Sequence, residues 1–285
     1  MPRTSPATKP VGSVTRGTTN TNRLRRVDRW IAYRAEFAKA PAPVVVDLGF
    51  GASGVTSFEL WSRLAKVRSD ARIIGFEIDA GRVEFARTQL AEVHAGRTAF
   101  DPAMRVEFAR GGFEVPLPGG ERATVIRAFN VLRQYDESEV GDAWARMRDR
   151  LAPGGLLVEG TCDELGRVCS WVDLSPDGPE RFTVSLRLTG LEVPSVVAER
   201  LPKALIHRNV PGERVHAWLS ALDDAWRKTS VFSPYGQRQR WVATIRTVRE
   251  EGWPVLGGAS RWRLGEVTVP WESVAPQGAE TLNRG

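Results

Sequence analysis

Cysteine is nearly absent: Cys162 and Cys169 are the only two in 285 residues, and six residues separate them. That spacing fits neither a CxxC redox pair nor a zinc site, and two cysteines build no disulfide framework. Reduced thiols in a cytoplasmic protein are the expectation. No apolar run approaches the length of a membrane span, and the polar N-terminus lacks the apolar core of a signal peptide. No internal repeat is present. A chain of this length can bury an ample core without disulfides or metals.

Net positive charge is confined to one end. Arg3, Lys9, Arg16, Arg23, Arg25, Arg26, Arg29 and Arg34 face Asp28 alone, so residues 1–35 carry +7. The whole chain carries +6, which leaves −1 for the remaining 250 residues. A near-neutral body with a basic arm follows. Such an arm can bind nucleic acid or another anionic partner, or be a solvated tail leading into a helix.

The chain is organised around Val44–Gly54, VVVDLGFGASG. Three β-branched residues in a row suit a strand buried on both faces. Asp47 closes it, and Gly49, Gly51 and Gly54 form a GxGxxG turn before a helix. Glycines there let backbone N–H groups and a helix N-terminus approach a ligand.

Residues 1–20, rich in Pro, Thr, Ser and Gly, read as a flexible basic arm. A helix is expected from about Arg23 to Ala38 within an N-terminal segment 21–40. Helices at Ser57–Val67, Arg82–Ala95 and Glu137–Leu151 then alternate with strands at Ala71–Phe76, Met104–Ala109, Ala123–Ala128 and Leu156–Glu159. That alternation predicts right-handed βαβ units, a doubly wound, Rossmann-like α/β fold with a mostly parallel sheet over 41–190. Val168–Leu174 and Phe182–Leu188, joined by SPDGPER, predict a terminal antiparallel hairpin. Residues 191–285 predict a helical extension or substrate lid, with helices at about Ser195–Ile206, Gly212–Thr229 and Pro234–Glu251 and a strand at Glu266–Val269. The tryptophans of that region are either stacking platforms or, with Trp218 and Trp226 near helical spacing, core.

GFGASG fits a dinucleotide fingerprint, and Glu77 ends the second strand where a ribose-binding acid belongs. Asp47 directly before the glycines would face a pyrophosphate, whereas S-adenosylmethionine offers an ammonium and a sulfonium. At VVVDLGFGASG, GFEID (75–79), VEFARGG (106–112), IRAFNVLRQY (126–135) and LAPGGLLVEG (151–160), the chain resembles the class I S-adenosylmethionine-dependent methyltransferases. The resemblance implies that Asp47, Gly49, Gly51 and Gly54 surround the methionine part of the cofactor. Glu77 would bind the ribose, Gly112 and Phe113 would lie beside the adenine, and Phe129 and Asn130 would face the sulfonium. Many family members carry an acid at the position of Gly112 that receives the adenine amino group. Here Glu114 or backbone atoms would have to substitute.

Methyl transfer from a sulfonium relies on positioning, so the fold implies the reaction and not the acceptor. AFNVL is neither an NPPY-like motif for base amino groups nor a Pro-Cys for covalent attack. The acids show no metal-binding spacing, so no metal is expected. Candidate bases are Glu159, Asp163 and Tyr135, with His207 and His216 behind them. The expectation is an S-adenosylmethionine-dependent methyltransferase acting on a small molecule or on RNA, with an NAD-type oxidoreductase and a non-catalytic nucleotide-binding module as the alternatives.

Overall fold

A computed structural model describes residues 9–14, 17 and 20–277. The rest of the expected arm, and residues 278–285, lie outside the described residues. One eight-stranded sheet runs in the order β3-β2-β1-β4-β5-β6-β7-β8. Strands β1 (Val44–Leu48), β2 (Arg72–Glu77), β3 (Val106–Arg110), β4 (Ala123–Phe129) and β5 (Leu151–Cys162) are parallel. Strands β6 (Val168–Ser175), β7 (Gly178–Leu186) and β8 (Glu266–Pro270) continue it with antiparallel pairing. The expected hairpin is therefore present and gains β8 as a further partner.

Alternate residues of each strand feed two cores, one on each face of the sheet. Val45, Ile73, Val106, Val125 and Val158 meet α1 (Arg25–Ala32), α2 (Ala35–Ala38), α3 (Val55–Leu64) and α4 (Ala80–His94). Val46, Ile74, Ile126, Leu157 and Phe182 meet α5 (Val140–Arg148), α6 (Lys203–Ile206), α7 (Arg214–Lys228), α8 (Gln237–Glu250) and α9 (Ala259–Trp262). Because both faces are covered, β1 opens on the consecutive apolar residues Val44, Val45 and Val46, and Asp47 is the polar exception near its end. Trp218, Trp226 and Trp241 are fully buried in the second core, so these indoles serve packing. Among the described residues no helix is long and apolar enough to cross a membrane.

Several expected boundaries move. The single helix over Arg23–Ala38 divides at Arg34, which is extended (ψ 135°). The break lets Trp30 donate to Asp173 at 3.0 Å while Phe37 turns fully inward. Leu151, four residues after Met147, continues the helical stripe in sequence; it is instead the first residue of β5, paired with Ala123. It is buried equally well there, and the following Ala-Pro-Gly-Gly bulges before pairing resumes at Val125 and Leu156. Pro202 splits the helix expected over Ser195–Ile206 into a 3-10 segment, Pro194–Arg200, and α6, because proline cannot donate and holds Leu201 extended. Gly236, at φ +90°, similarly delays α8 to Gln237.

Candidate functional site

The strand order reverses between β1 and β4, and a cavity of about 380 Å3 opens at their carboxyl ends. Ligands of open α/β sheets occupy this crevice. The turn after β1 shapes its floor. Gly49 (φ +68°) and Gly51 (φ +90°) adopt backbone conformations that favour glycine. Gly54 is required for space instead. A Cβ there would stand 2.6 Å from the Phe108 ring, so glycine allows α3 to close on β3.

Glu77, buried at the end of β2, ties this turn to the next strand. Its Oε2 accepts the Gly51 N–H at 3.1 Å and its Oε1 accepts the Ile78 N–H at 2.8 Å, with Arg82 at 3.5 Å. Oε1 also accepts the Asp79 N–H at 3.4 Å. Phe129 and Asn130 line the cavity from the end of β4. Asn130 is left-handed (φ +60°), and its Oδ1 accepts the Cys162 N–H at 3.0 Å, which fixes the loop to the end of β5.

Asp47 lines the cavity, but its charge is spent inside the protein. Arg127, fully buried on β4, lies 2.7 Å from Asp47 and also pairs with Asp28 of α1. Asp28 in turn meets Arg63 at 2.5 Å, and the hydroxyls of Ser57 and Thr56 donate to Asp47. Burial opposes the Arg127 charge, but Asp47 and Asp28 outweigh it and raise its pKa. Asp28, the lone acid among the eight basic residues of 1–35, is thus one of the links, with Trp30 and Arg26, that fasten α1 to the sheet.

Gly112 and Phe113 follow β3 and lie under the N-terminal segment. The Phe113 N–H donates to the Val11 carbonyl at 3.0 Å, and the Val11 N–H donates to Glu114 Oε2 at 2.8 Å. A Cβ on Gly112 would stand 2.0 Å from the Val11 oxygen. The crossing explains glycine at this position and engages Glu114. Tyr135 completes the contact, its hydroxyl accepting the Ser13 N–H at 2.5 Å. About 10 Å3 of open space remains between Val11, Ser13, Glu77 and Phe113. The described part of the arm is therefore packed on the body at this point.

The structure separates the other candidates. Glu159 faces the core around Trp144, lines none of these cavities, and its two oxygens are buried without hydrogen-bond partners among the described residues. Asp163 caps the β5–β6 turn by accepting the Arg167 N–H at 2.6 Å. His207 is exposed beside Lys203, and His216 meets Asn209. Sequence reasoning missed Arg23, Arg133, Arg200, Glu164 and Cys162, all of which line the cavity. Among the described residues, Arg200 is the only lining residue from beyond position 190. Cys162 sits opposite Cys169 across β5 and β6. A hydrogen bond with Cys169, resisted by burial and aided by Arg23 and Asn130, draws the Cys162 pKa down to about 7. These five residues come from separate segments that only the fold brings together, and no local pattern marks them.

No family model matches the chain, and no curated protein matches it. Among solved structures it is similar to magnesium protoporphyrin IX methyltransferase from Synechocystis with bound S-adenosylhomocysteine (19% identity, TM-score 0.37). That match covers 49% of this chain and 54% of the other, so the chain spans about half the length of the structure it matches. The mitomycin 7-O-methyltransferase MmcR aligns at 23% identity and TM-score 0.32, over 48% of this chain and 36% of the other. The O-methyltransferase NcsB1 of neocarzinostatin biosynthesis aligns at 19% and 0.33, over 48% and 40%. A likeness at that level carries no functional argument, and function is read from this chain's own residues.

Proposed function

We propose that the protein is an S-adenosylmethionine-dependent methyltransferase. The observation that carries this reading is the glycine turn at the β1/β4 crevice, with Gly51 tied to the buried Glu77 carboxylate. In this reading Gly49, Gly51, Phe129 and Asn130 hold the methionine part, Glu77 the ribose, and Gly112 and Phe113 the adenine. When bound, the cofactor supplies an activated methyl group for in-line displacement. The chain's own contribution is positioning. Cys162 fixes Asn130, and Arg23, Arg133 and Arg200 give the cavity mouth a positive field that favours an anionic acceptor. Glu164, 3.5 Å from Arg200, is a carboxylate on that wall.

The charge of Asp47 no longer separates this cofactor from NAD, since Arg127 balances it. Gly49, Gly51, Phe129 and Asn130 line the 380 Å3 cavity, while Glu77, Gly112 and Phe113 border the separate space of about 10 Å3 under Val11 and Ser13, so binding itself must separate the two cofactors. Calorimetric titration with S-adenosylmethionine, S-adenosylhomocysteine and NAD tests the choice. Binding of the two sulfur nucleosides is expected, weakened about 10–100-fold in Glu77→Ala through loss of charged hydrogen bonds. Binding of NAD alone, or of nothing, overturns the reading.

The arm adds a second expectation. Val11 presents one donor and one acceptor to Glu114 and Phe113. An adenine edge offers the same pair, through its amino group and ring nitrogen. Deleting residues 1–14 should therefore tighten S-adenosylhomocysteine binding by about tenfold, the worth of two net hydrogen bonds. Weaker binding after deletion would instead make the arm part of the cofactor site.

A further inference from the structure

A second cleft, of about 620 Å3, opens beside the end of β7, and six of its lining residues are arginines: Arg25, Arg26, Arg29, Arg187, Arg238 and Arg263. No carboxylate among the described residues lines it. Six like charges around one concavity repel one another, so the arrangement favours a multiply charged anion.

How these arginines are held strengthens the point. Arg26 is buried, yet its three hydrogen bonds go to neutral oxygens of Gly166, Ser185 and Leu264. Arg25 likewise meets the carbonyls of Asn22 and Leu165. Among the described residues only Arg29 of the six pairs with a carboxylate, Glu266 at 3.6 Å, which Arg261 shares at 2.5 Å. Arg187, Arg238 and Arg263 are exposed, and their side chains make no hydrogen bond or ion pair with the described residues. Gly236 and Gln237 also line the cleft, and there the 14-residue α8 begins without a side-chain cap, adding its positive end.

Two features select among anions. The turn leading into Gly236 exposes Phe232 (41%) and Tyr235 (73%), with ring centroids 6.4 Å apart. Exposed rings beside a basic groove suit stacked bases. The cleft also neighbours the proposed methyl-transfer pocket along the start of α1. Arg23 and Leu24 line the pocket, while the next two residues, Arg25 and Arg26, line the cleft. Both open at the same edge of the sheet, with the ends of β4 and β7 three strand spacings apart, about 15 Å.

We propose that the arginine cleft binds the phosphodiester backbone of a single-stranded nucleic acid, which runs past α1 and presents the methyl acceptor to the 380 Å3 pocket. The second half of this proposal rests on the methyltransferase reading; the cleft itself does not.

The test is fluorescence anisotropy of the full chain with a labelled single-stranded RNA of about 12 nucleotides and its DNA counterpart, across a salt series. The comparison is a triple variant, Arg187→Gln, Arg238→Gln and Arg263→Gln, whose exposed side chains can be replaced without disturbing the core. Wild type should bind in a strongly salt-dependent manner. The variant should bind about 10–100-fold more weakly, with a log–log salt slope shallower by about 2, and should keep its S-adenosylhomocysteine affinity. Equal oligonucleotide binding by variant and wild type overturns the proposal. So does cleft-dependent binding to phosphatidylserine vesicles without binding to either oligonucleotide, which would make this a lipid-headgroup site. Cleft-dependent nucleic-acid binding without any S-adenosylhomocysteine binding would leave the cleft standing and overturn the methyltransferase reading alone.

Discussion

Arg127→Met is expected to lower stability by about 3–5 kcal/mol, the usual loss when one member of a buried ionic network is removed. Arg127 is fully buried, and it separates two buried carboxylates, Asp28 and Asp47. Without it both acids must stay charged in a medium that solvates charge poorly, or take up protons. Arg63 still reaches Asp28 at 2.5 Å, so the larger penalty falls on Asp47, whose remaining partners are hydroxyls. For a protein of this size the loss corresponds to a fall in Tm of roughly 10 °C. Adding Asp28→Asn and Asp47→Asn should recover part of it, because the stranded charges are then gone. A loss below about 1 kcal/mol would show that the network contributes little beyond packing. Because Asp47 also holds the first turn of α3, the same variant should weaken cofactor binding.

Stability should fall as pH rises from about 4.5 to about 8, and Glu159 should be a main reason. Burial pushes its pKa up from 4.5 to about 8. The folded chain therefore holds a proton on Glu159 in a range where the unfolded chain has released it. A group bound more tightly to its proton in the folded state stabilises fully below the unfolded pKa, and that stability drains away as pH climbs to the folded value. One such group changes stability by about 1.36 kcal/mol per pH unit, on the order of 3–5 kcal/mol over the window. Asp173, raised to about 7 by burial against the pull of Arg34 and Trp30, acts with the same sign. Glu159→Gln keeps the shape and cannot ionise. Urea titrations at about pH 5 and about pH 8.5 should show it near wild type at the lower pH and more stable by a few kcal/mol at the higher one. An unchanged pH profile in the variant would mean that the Glu159 carboxyl finds water or a partner in solution.

Glu159 also marks where reading along the chain stops being informative. Its position near the carboxyl end of β5 makes it a reasonable candidate base. The pleat decides otherwise: residues 157, 159 and 161 alternate with 156, 158 and 160, and Glu159 falls on the face covered by α5. The same kind of decision applies to Leu151, which a helix stripe and a strand start would bury equally well. The tryptophans are legible in part, since the Trp218, Leu222 and Trp226 spacing is that of one helix face and all three are core residues.

What the amino-acid order determined by itself is local. Val44–Gly54 specifies a doubly buried strand and a glycine turn, because β-branched residues and positive φ act over a few residues. The alternation after it specifies the parallel sheet and hence the edge where a ligand sits. Tertiary structure alone decided the rest. Asp28 meets Arg127 across 99 positions, Val11 meets Gly112 across 101, and the arginine cleft draws on four separate stretches of chain. Charge acts through space and not along sequence, so a balanced Asp47, an occupied Glu114 and a shared basic cleft exist only once the sheet has brought their partners together.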